Sequence, residues 1–134
     1  GMAGAVAALA RAEWGEGPKI LVVEPEAAPA LYASIEAGRP VLAGGPVSSM
    51  GRLDCKEPSL IALKGLARDA DFFVTISDEA VEEKLPVLEA AGVATSPSGG
   101  ACLAVLLACG AEADEWGLGA GSRVLAFLSE GPQE

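Results

Sequence analysis

Residues 1–10, GMAGAVAALA, place glycine at and near the start of an apolar helix. The first N–H groups of a helix have no partner inside the helix, and the helix dipole favours an anion there, so such a start can bind phosphate. The backbone of Ala3 and Gly4 is therefore a candidate phosphate site. A frayed helix start that binds nothing is the simpler alternative, and the residues alone leave both open.

Two further candidates follow strands that the sequence predicts. Ser129, in LSEG, stands at the end of an apolar run, and ligands of open α/β sheets gather at the carboxyl ends of strands. A turn serine is the equally natural alternative. Glu24, in VVEP, ends another run, where its carboxylate either lines the same edge or caps the helix that follows.

Several kinds of chemistry are excluded by composition. The sequence has no histidine, which removes His-based triads, imidazole acid–base chemistry and histidine metal sites. Its three cysteines are odd in number and lack CxxC spacing, so neither a disulfide framework nor a zinc site is expected. No catalytic residue and no metal ligand are therefore predicted.

Charge and hydropathy limit the partners. The net charge of −10 and the absence of a basic cluster argue against nucleic acid. No apolar run reaches the roughly 18 residues that a membrane helix needs, and residues 1–10 lack the basic start of an export signal. We expect a cytoplasmic protein that binds neither nucleic acid nor membrane.

The elements that must position these residues alternate between helices and strands. Short β-branched runs bounded by turn residues predict parallel strands that are covered on both faces. Strands are predicted at 19–24 (KILVVE), 71–76 (DFFVTI) and 122–131 (SRVLAFLSEG), and helices at 3–14, 28–37, from about 58, 77–92 and 96–110. Residues 1–134 thus predict one α/β domain, a three-layer open parallel sheet with helices on both faces, incomplete at its N-terminal edge.

Helix boundaries and faces are also predicted. Ser77 and Ser96 are candidate N-caps, and Pro86 should kink or break its helix. In the helix that begins near Pro58, a core-facing stripe is expected at Leu60, Leu63 and Ala67.

An ordered set of segments resembles a known family. They are MAGAVAAL (2–9), VVEPEAAPALYASIEAGRPV (22–41), EPSLIALKGL (57–66), FVTISDEAV (73–81), PSGGACLAVLL (97–107) and VLAFLSEG (124–131). Together they resemble the later half of the large domain of fold-type II pyridoxal-phosphate enzymes, the tryptophan synthase β-like group. The resemblance is greatest to diaminopropionate ammonia-lyase, with the threonine and serine dehydratases next.

The resemblance implies pyridoxal phosphate as cofactor and β-elimination on an amino acid as the reaction. It assigns Ala3 and Gly4 to the cofactor phosphate, and Ser129 to a hydroxyl contact with the pyridine nitrogen. Glu24 would lie near the cofactor face. The family often carries an acidic residue at the position of Ser96. Any role of that acidic side chain is therefore not carried over to this sequence, and an N-cap explains Ser96 adequately.

The covalent cofactor lysine of the family is not matched in this sequence. Lys19, Lys56, Lys64 and Lys84 are interpreted as ordinary surface residues at a strand start or on solvated helices. The resemblance therefore implies a C-terminal fragment of the large domain, inactive alone, whose lysine-bearing half lies upstream of Met2 or on a separate chain. A free-standing α/β module that binds a ligand or partner without catalysis is the alternative.

The first helix predicts association. Residues 3–14 are apolar on nearly every face, and large apolar patches on soluble proteins seldom stay uncovered. A homodimer or a higher symmetric oligomer is expected, with Val6 and Leu9 in its interface.

Overall fold

A computed structural model describes residues 1–133 of the protein, and its helices flank a short sheet. The sheet consists of β1 (Leu21–Pro25) and β2 (Phe72–Ile76). The helices are α1 (Met2–Trp14), α2 (Ala30–Ala37), α3 (Leu60–Asp69), α4 (Asp78–Ala90), α5 (Pro97–Ala108) and the single turn α6 (Glu112–Glu115). In these residues no helix is both long and apolar enough to cross a membrane.

The two strands are parallel and directly adjacent, with Leu21 opposite Phe72 and Pro25 opposite Ile76. The third strand predicted at 122–131 is wrong, because within residues 1–133 this run has no ladder partner and lies outside regular secondary structure. A strand needs a neighbour that supplies hydrogen bonds, however β-prone its residues are.

Helices cover both faces of the sheet, as the sequence predicts. Alternate strand residues point to opposite faces. On one face Val22 packs with Ala7 of α1 and Leu66 of α3. On the other face the sheet packs against α4, α5 and the irregular segment before α3. This second core consists of Met50, Ile76, Val81, Ala101, Ala104 and Val105. The architecture is a three-layer α/β arrangement.

The predicted inward stripe of α3 is confirmed at Leu63 and wrong at Leu60 and Ala67. Leu63 and Leu66 are the buried leucines, whereas Leu60 and Ala67 are exposed. Leu60 and Ala67 instead line a shallow groove between α3 and α2. The predicted stripe and the observed pair Leu63 and Leu66 both fit helical spacing. The position of α1 against α3 decides which residues are covered.

Local sequence signals place the helix starts. Ser77 accepts a hydrogen bond from the Ala80 amide, and Ser96 accepts one from the Gly99 amide, so both predicted N-caps are confirmed. The predicted break at Pro86 is wrong, because α4 runs through it. Glu82 and Pro86 are both exposed, so water can bond the carbonyl that proline leaves without a donor.

Candidate functional site at the carboxyl edge of the sheet

The carboxyl ends of both strands lie at one edge of the sheet. Pro25 is paired with Ile76 there, and the amide of Glu26 donates to the Ile76 carbonyl at 2.9 Å. Both α2 and α4 begin just beyond this edge. In open α/β sheets this is where ligands bind.

Glu24 is buried at this edge, with 7% of its surface exposed. Its two carboxylate oxygens accept hydrogen bonds from the amides of Leu31 (3.0 Å) and Tyr32 (2.7 Å), in the first turn of α2. Burial raises the pKa of the Glu24 carboxyl, and the two amide hydrogen bonds oppose that rise. Of the two interpretations of Glu24, the structure shows the helix cap, and a contact with a ligand stays a prediction.

The start of α1 reaches the same edge because α1 and α3 run parallel. A Cβ added at Gly4 would lie 3.5 Å from the Cα of Ala62, and two turns later Arg11 donates from Nε to the carbonyl of Asp69 at 3.0 Å. The end of α3 leads directly into the start of β2, so its beginning lies at the carboxyl edge. Gly4, beside Ala62, lies there too.

The first turn of α1 fits an anion such as the cofactor phosphate. Gly1 is the N-cap and provides no side-chain cap, and no acidic side chain stands in the first turn. The amides of Ala3 and Gly4 therefore lie in a first turn in which no N-cap side chain accepts a hydrogen bond from the backbone. The close approach of Gly4 to α3 keeps this turn against the protein.

An irregular segment covers the edge between β1 and the starts of α4 and α5. We call residues 43–56 the edge loop, and its ends are joined by the Ala43 amide, which donates to the Lys56 carbonyl at 2.8 Å. The hydroxyl of Ser48 donates to Asp78 at 2.6 Å, and the Ser49 amide donates to the same carboxylate at 2.7 Å. Met50, fully buried, fixes the middle of the loop in the core.

Glu130 joins the C-terminal segment to the start of α5. Its carboxylate accepts from the Ser96 hydroxyl at 2.5 Å and from Nε of Arg52 at 2.9 Å, and its carbonyl accepts from the Thr95 hydroxyl at 2.8 Å. The Arg52 amide in turn donates to Ser98 at 3.1 Å. Sequence reasoning considered Ser129 and overlooked its neighbour. The available signal was the acidic residue directly after the candidate serine.

Ser129 is exposed and directly precedes the anchored Glu130, so its position beside Gly4 and Glu24 stays a prediction. Within residues 1–133, no hydrogen bond joins Gly4, Glu24 and Ser129 to one another. Glu24 is hydrogen-bonded to α2, and Gly4 packs against α3. The described residues contain no cluster of acidic or thiol side chains suited to a metal.

Two of the four lysines are less exposed than the surface positions that the sequence predicts. Lys19 and Lys64 are exposed, and Lys84 pairs with Glu83 at 3.0 Å. Lys56 is half-buried and donates to Asp54 and to two main-chain carbonyls. The prediction of an ordinary surface lysine is wrong for Lys56 and Lys84, whose side chains are 34% and 23% exposed. The edge loop folds back over the ammonium group of Lys56.

Comparison with solved structures shows the fold in larger enzymes. A threonine deaminase from T.th. is 27% identical with a TM-score of 0.74, over 82% of this chain and 40% of the deaminase. Maize serine racemase, 22% identical, has the same fold with a TM-score of 0.72, over 87% of this chain and 34% of the racemase. This chain thus spans well under half the length of either protein.

Sequence comparison extends the similarity along nearly the whole chain. None of the curated proteins matches it. The pattern of the family described as "Pyridoxal-phosphate dependent enzyme", however, matches residues 1–130, which include the start of α1, both strands and the Ser129–Glu130 pair. The chain therefore belongs to the pyridoxal-phosphate dependent enzyme family.

Proposed function

We propose that this chain forms the later part of the large domain of a pyridoxal-phosphate lyase that acts by β-elimination on an amino acid. The observation that carries the proposal is the similarity to threonine deaminase, an enzyme named for removing an amino group. The finer assignment, a lyase like diaminopropionate ammonia-lyase, is supported by the sequence resemblance over the segments between residues 2 and 131.

The proposed cofactor contacts all lie at the carboxyl edge. The amides of Ala3 and Gly4 would hold the phosphate, because the first turn of α1 has no side-chain cap. Ser129 would donate its hydroxyl to the pyridine nitrogen, and Glu24 would contribute a carboxylate near the cofactor face. When bound, pyridoxal phosphate supplies an electron sink for breaking bonds at the substrate's α- and β-carbons.

A neutral hydroxyl at Ser129 suits elimination. A serine cannot protonate the ring nitrogen as a carboxylic acid would, so the ring is not a maximal electron sink. The departure of a β-substituent does not need a maximal electron sink. The carboxylate of Glu130 is bonded to Ser96 and Arg52. It is therefore not free to take the place of the Ser129 hydroxyl at the ring nitrogen.

We propose that this chain is inactive by itself. Of the four lysines, Lys56 is bonded to three oxygens and Lys84 is paired, while Lys19 and Lys64 are exposed. A lysine that binds the cofactor covalently must be able to lose its proton inside a cleft. That residue would come from an upstream segment or from a separate chain.

Exposed apolar surface supports a proposed association with such a chain or with a second copy. Leu9 on α1 is 62% exposed. In the C-terminal segment the large apolar side chains are 41–63% exposed: Val124, Leu125, Phe127 and Leu128. Burying a fully exposed side chain of this size is favourable by about 1.5–3 kcal/mol, and covering the exposed part of each contributes roughly half of that.

The test is complementation. The purified chain, given pyridoxal phosphate and 2,3-diaminopropionate, is expected to release no ammonia. Co-expression with the sequence encoded immediately upstream of Met2 is expected to give ammonia release, and Ser129→Ala in that complex is expected to reduce it. If the upstream DNA encodes nothing related to the family, the alternative of a free-standing binding module is favoured instead.

A further inference from the structure

The shallow groove between α2 and α3 differs in charge from the rest of the molecule. Its volume is about 380 Å³, and its walls are the end of α2, the turn that follows and one face of α3. The whole chain carries 19 acidic and 9 basic residues. Within residues 1–133, however, the groove is lined by two basic residues, Arg39 and Lys64, and by no acidic one. An apolar groove with positive charges beside it suits an apolar group that is flanked by carboxylates.

Neither of these cations is neutralised inside the chain. Six of the basic residues form ion pairs within residues 1–133, and the other three, Arg39, Lys64 and Arg123, do not. Two of the three unpaired cations therefore lie at one groove. On the α3 wall, Leu60 is 65% exposed and Ala67 is also exposed. Both the charged and the apolar parts of the groove thus lack a partner within the part of the chain that the structure describes.

The end of α1 presents an aromatic side chain next to two carboxylates. Trp14 is the last residue of α1 and is 58% exposed. Glu13 precedes it and Glu16 follows two positions later, and both are exposed and form no ion pair within residues 1–133. Arg11 donates to the carbonyls of Gly15 and Pro18, which holds the backbone around Trp14 in place. A tryptophan on a fixed backbone is typical of the residues that dominate the energy of protein interfaces.

The groove and Trp14 belong to helices on the same side of the sheet. The core on that side joins Ala7 of α1 to Leu66 of α3, and Leu31 of α2 packs against it. The three helices α1, α2 and α3 therefore form one layer. When two copies face each other through this layer, a two-fold axis brings the Trp14 of each to the groove of the other, and the assembly closes as a dimer.

We propose that two copies of this chain associate by placing Trp14 of each in the groove between α2 and α3 of the other. Glu13 and Glu16 then face Arg39 and Lys64. Local charge complementarity of this kind allows a chain with a net charge of −10 to bind a second copy. This contact rests on the association with a second copy proposed above, and it involves none of the proposed cofactor contacts.

An exchange of charges between the two surfaces tests the contact. The groove variant carries Arg39→Glu and Lys64→Glu, and the helix-end variant carries Glu13→Lys and Glu16→Lys. In either variant alone both contacts join like charges, so light scattering at micromolar concentration should give the mass of a monomer. An equimolar mixture has opposite charges at both contacts and should give the mass of a dimer. Arg123→Glu reverses the third unpaired cation, and as the matched control it should remain a dimer.

Trp14→Ala is the second test. It should raise the dissociation constant of the dimer at least about tenfold, because truncation of an aromatic residue at the centre of an interface is costly. The circular dichroism spectrum should stay unchanged, since the side chain is exposed in the single chain. A dimer as stable as the native one in Trp14→Ala, or a mixture of the two charge variants that stays monomeric, would overturn this contact and leave an association through Leu9 standing. A monomeric native chain would overturn both.

Discussion

The hydroxyl of Ser96 lies 2.5 Å from Oε2 of Glu130, although 34 positions separate the two residues. Ser96 is 1% exposed and also accepts from the Gly99 amide, so one hydroxyl both begins α5 and anchors the C-terminal segment. A carboxylate from a distant part of the chain thus reaches the start of α5 at Ser96.

Ser96→Ala should therefore destabilise the protein. Glu130 loses a buried donor and the Gly99 amide loses its cap, so we expect the free energy of unfolding to fall by about 1–3 kcal/mol. Urea unfolding followed by circular dichroism measures it. Ser129→Ala, at the exposed neighbouring position, should change stability by less than about 0.5 kcal/mol. Equal effects of the two substitutions would mean that the hydrogen bond contributes nothing.

Incubation with pyridoxal phosphate should leave no covalent adduct on the isolated chain. The ammonium of Lys56 is held by three oxygens and the other lysines are paired or exposed, so none is suited to deprotonation inside a cleft. Borohydride reduction after dialysis, followed by mass spectrometry, tests this. A stoichiometric adduct on one particular lysine would show that the chain carries its own cofactor residue.

Glu24 should give stability a specific dependence on pH. Burial raises its pKa in the folded chain above the usual value of about 4.3, so the folded state holds the proton over the interval between the two values. Stability contributed by Glu24 is then greatest below that interval and decreases as pH rises through it. Urea unfolding of the native chain and Glu24→Gln should show a stability difference that shrinks as pH rises above about 4.3. A difference that grows with pH would mean that the amides of Leu31 and Tyr32 outweigh burial.

Gly45→Ala should detach the edge loop. The new Cβ would overlap the Ala27 carbonyl oxygen at 2.2 Å; the backbone fixes the position of the Cβ and the carbonyl is itself backbone, so neither can turn aside. We expect a loss of at least about 2 kcal/mol in unfolding free energy, in the range of strained backbone substitutions. Gly44→Ala is the control, since its Cβ would meet no atom within 4 Å. Similar thermal unfolding midpoints for the two variants would contradict the close approach.

Light scattering at micromolar concentration should give the mass of a dimer or higher symmetric oligomer, because α1 exposes apolar side chains such as Leu9. Leu9→Glu should shift the mass toward the monomer. Val47→Glu, an equally drastic change in the edge loop, should not. A monomer mass for the native chain would show the proposed interface through Val6 and Leu9 to be wrong.

Features encoded by neighbouring residues could be predicted from the sequence. Ser77 and Ser96 cap their helices through amides three positions away, and the two strand runs are recognisable because each is short, apolar and bounded by turn residues. Family membership could be predicted as well, because it rests on several short segments in a fixed order.

Features that depend on distant residues could not be predicted in the same way. Residues 122–131 have the composition of a strand, but pairing depends on a neighbour that composition does not reveal. The partners of Glu130 and of Lys56 lie between 2 and 78 positions away, and only folding brings most of them together. The inward face of α3 likewise depends on where α1 packs.

Arg11 fixes the opposite, amino edge of the sheet with a single guanidinium group. Its side chain bonds the carbonyls of Pro18 and Asp69 and the carboxylate of Asp71, so the connections into both strands meet there. None of these contacts involves the carboxyl edge. Side-chain substitutions in the loops of that far edge therefore leave this amino-edge anchor of the two strands intact, so the loops can vary while one end of the strand pair stays fixed.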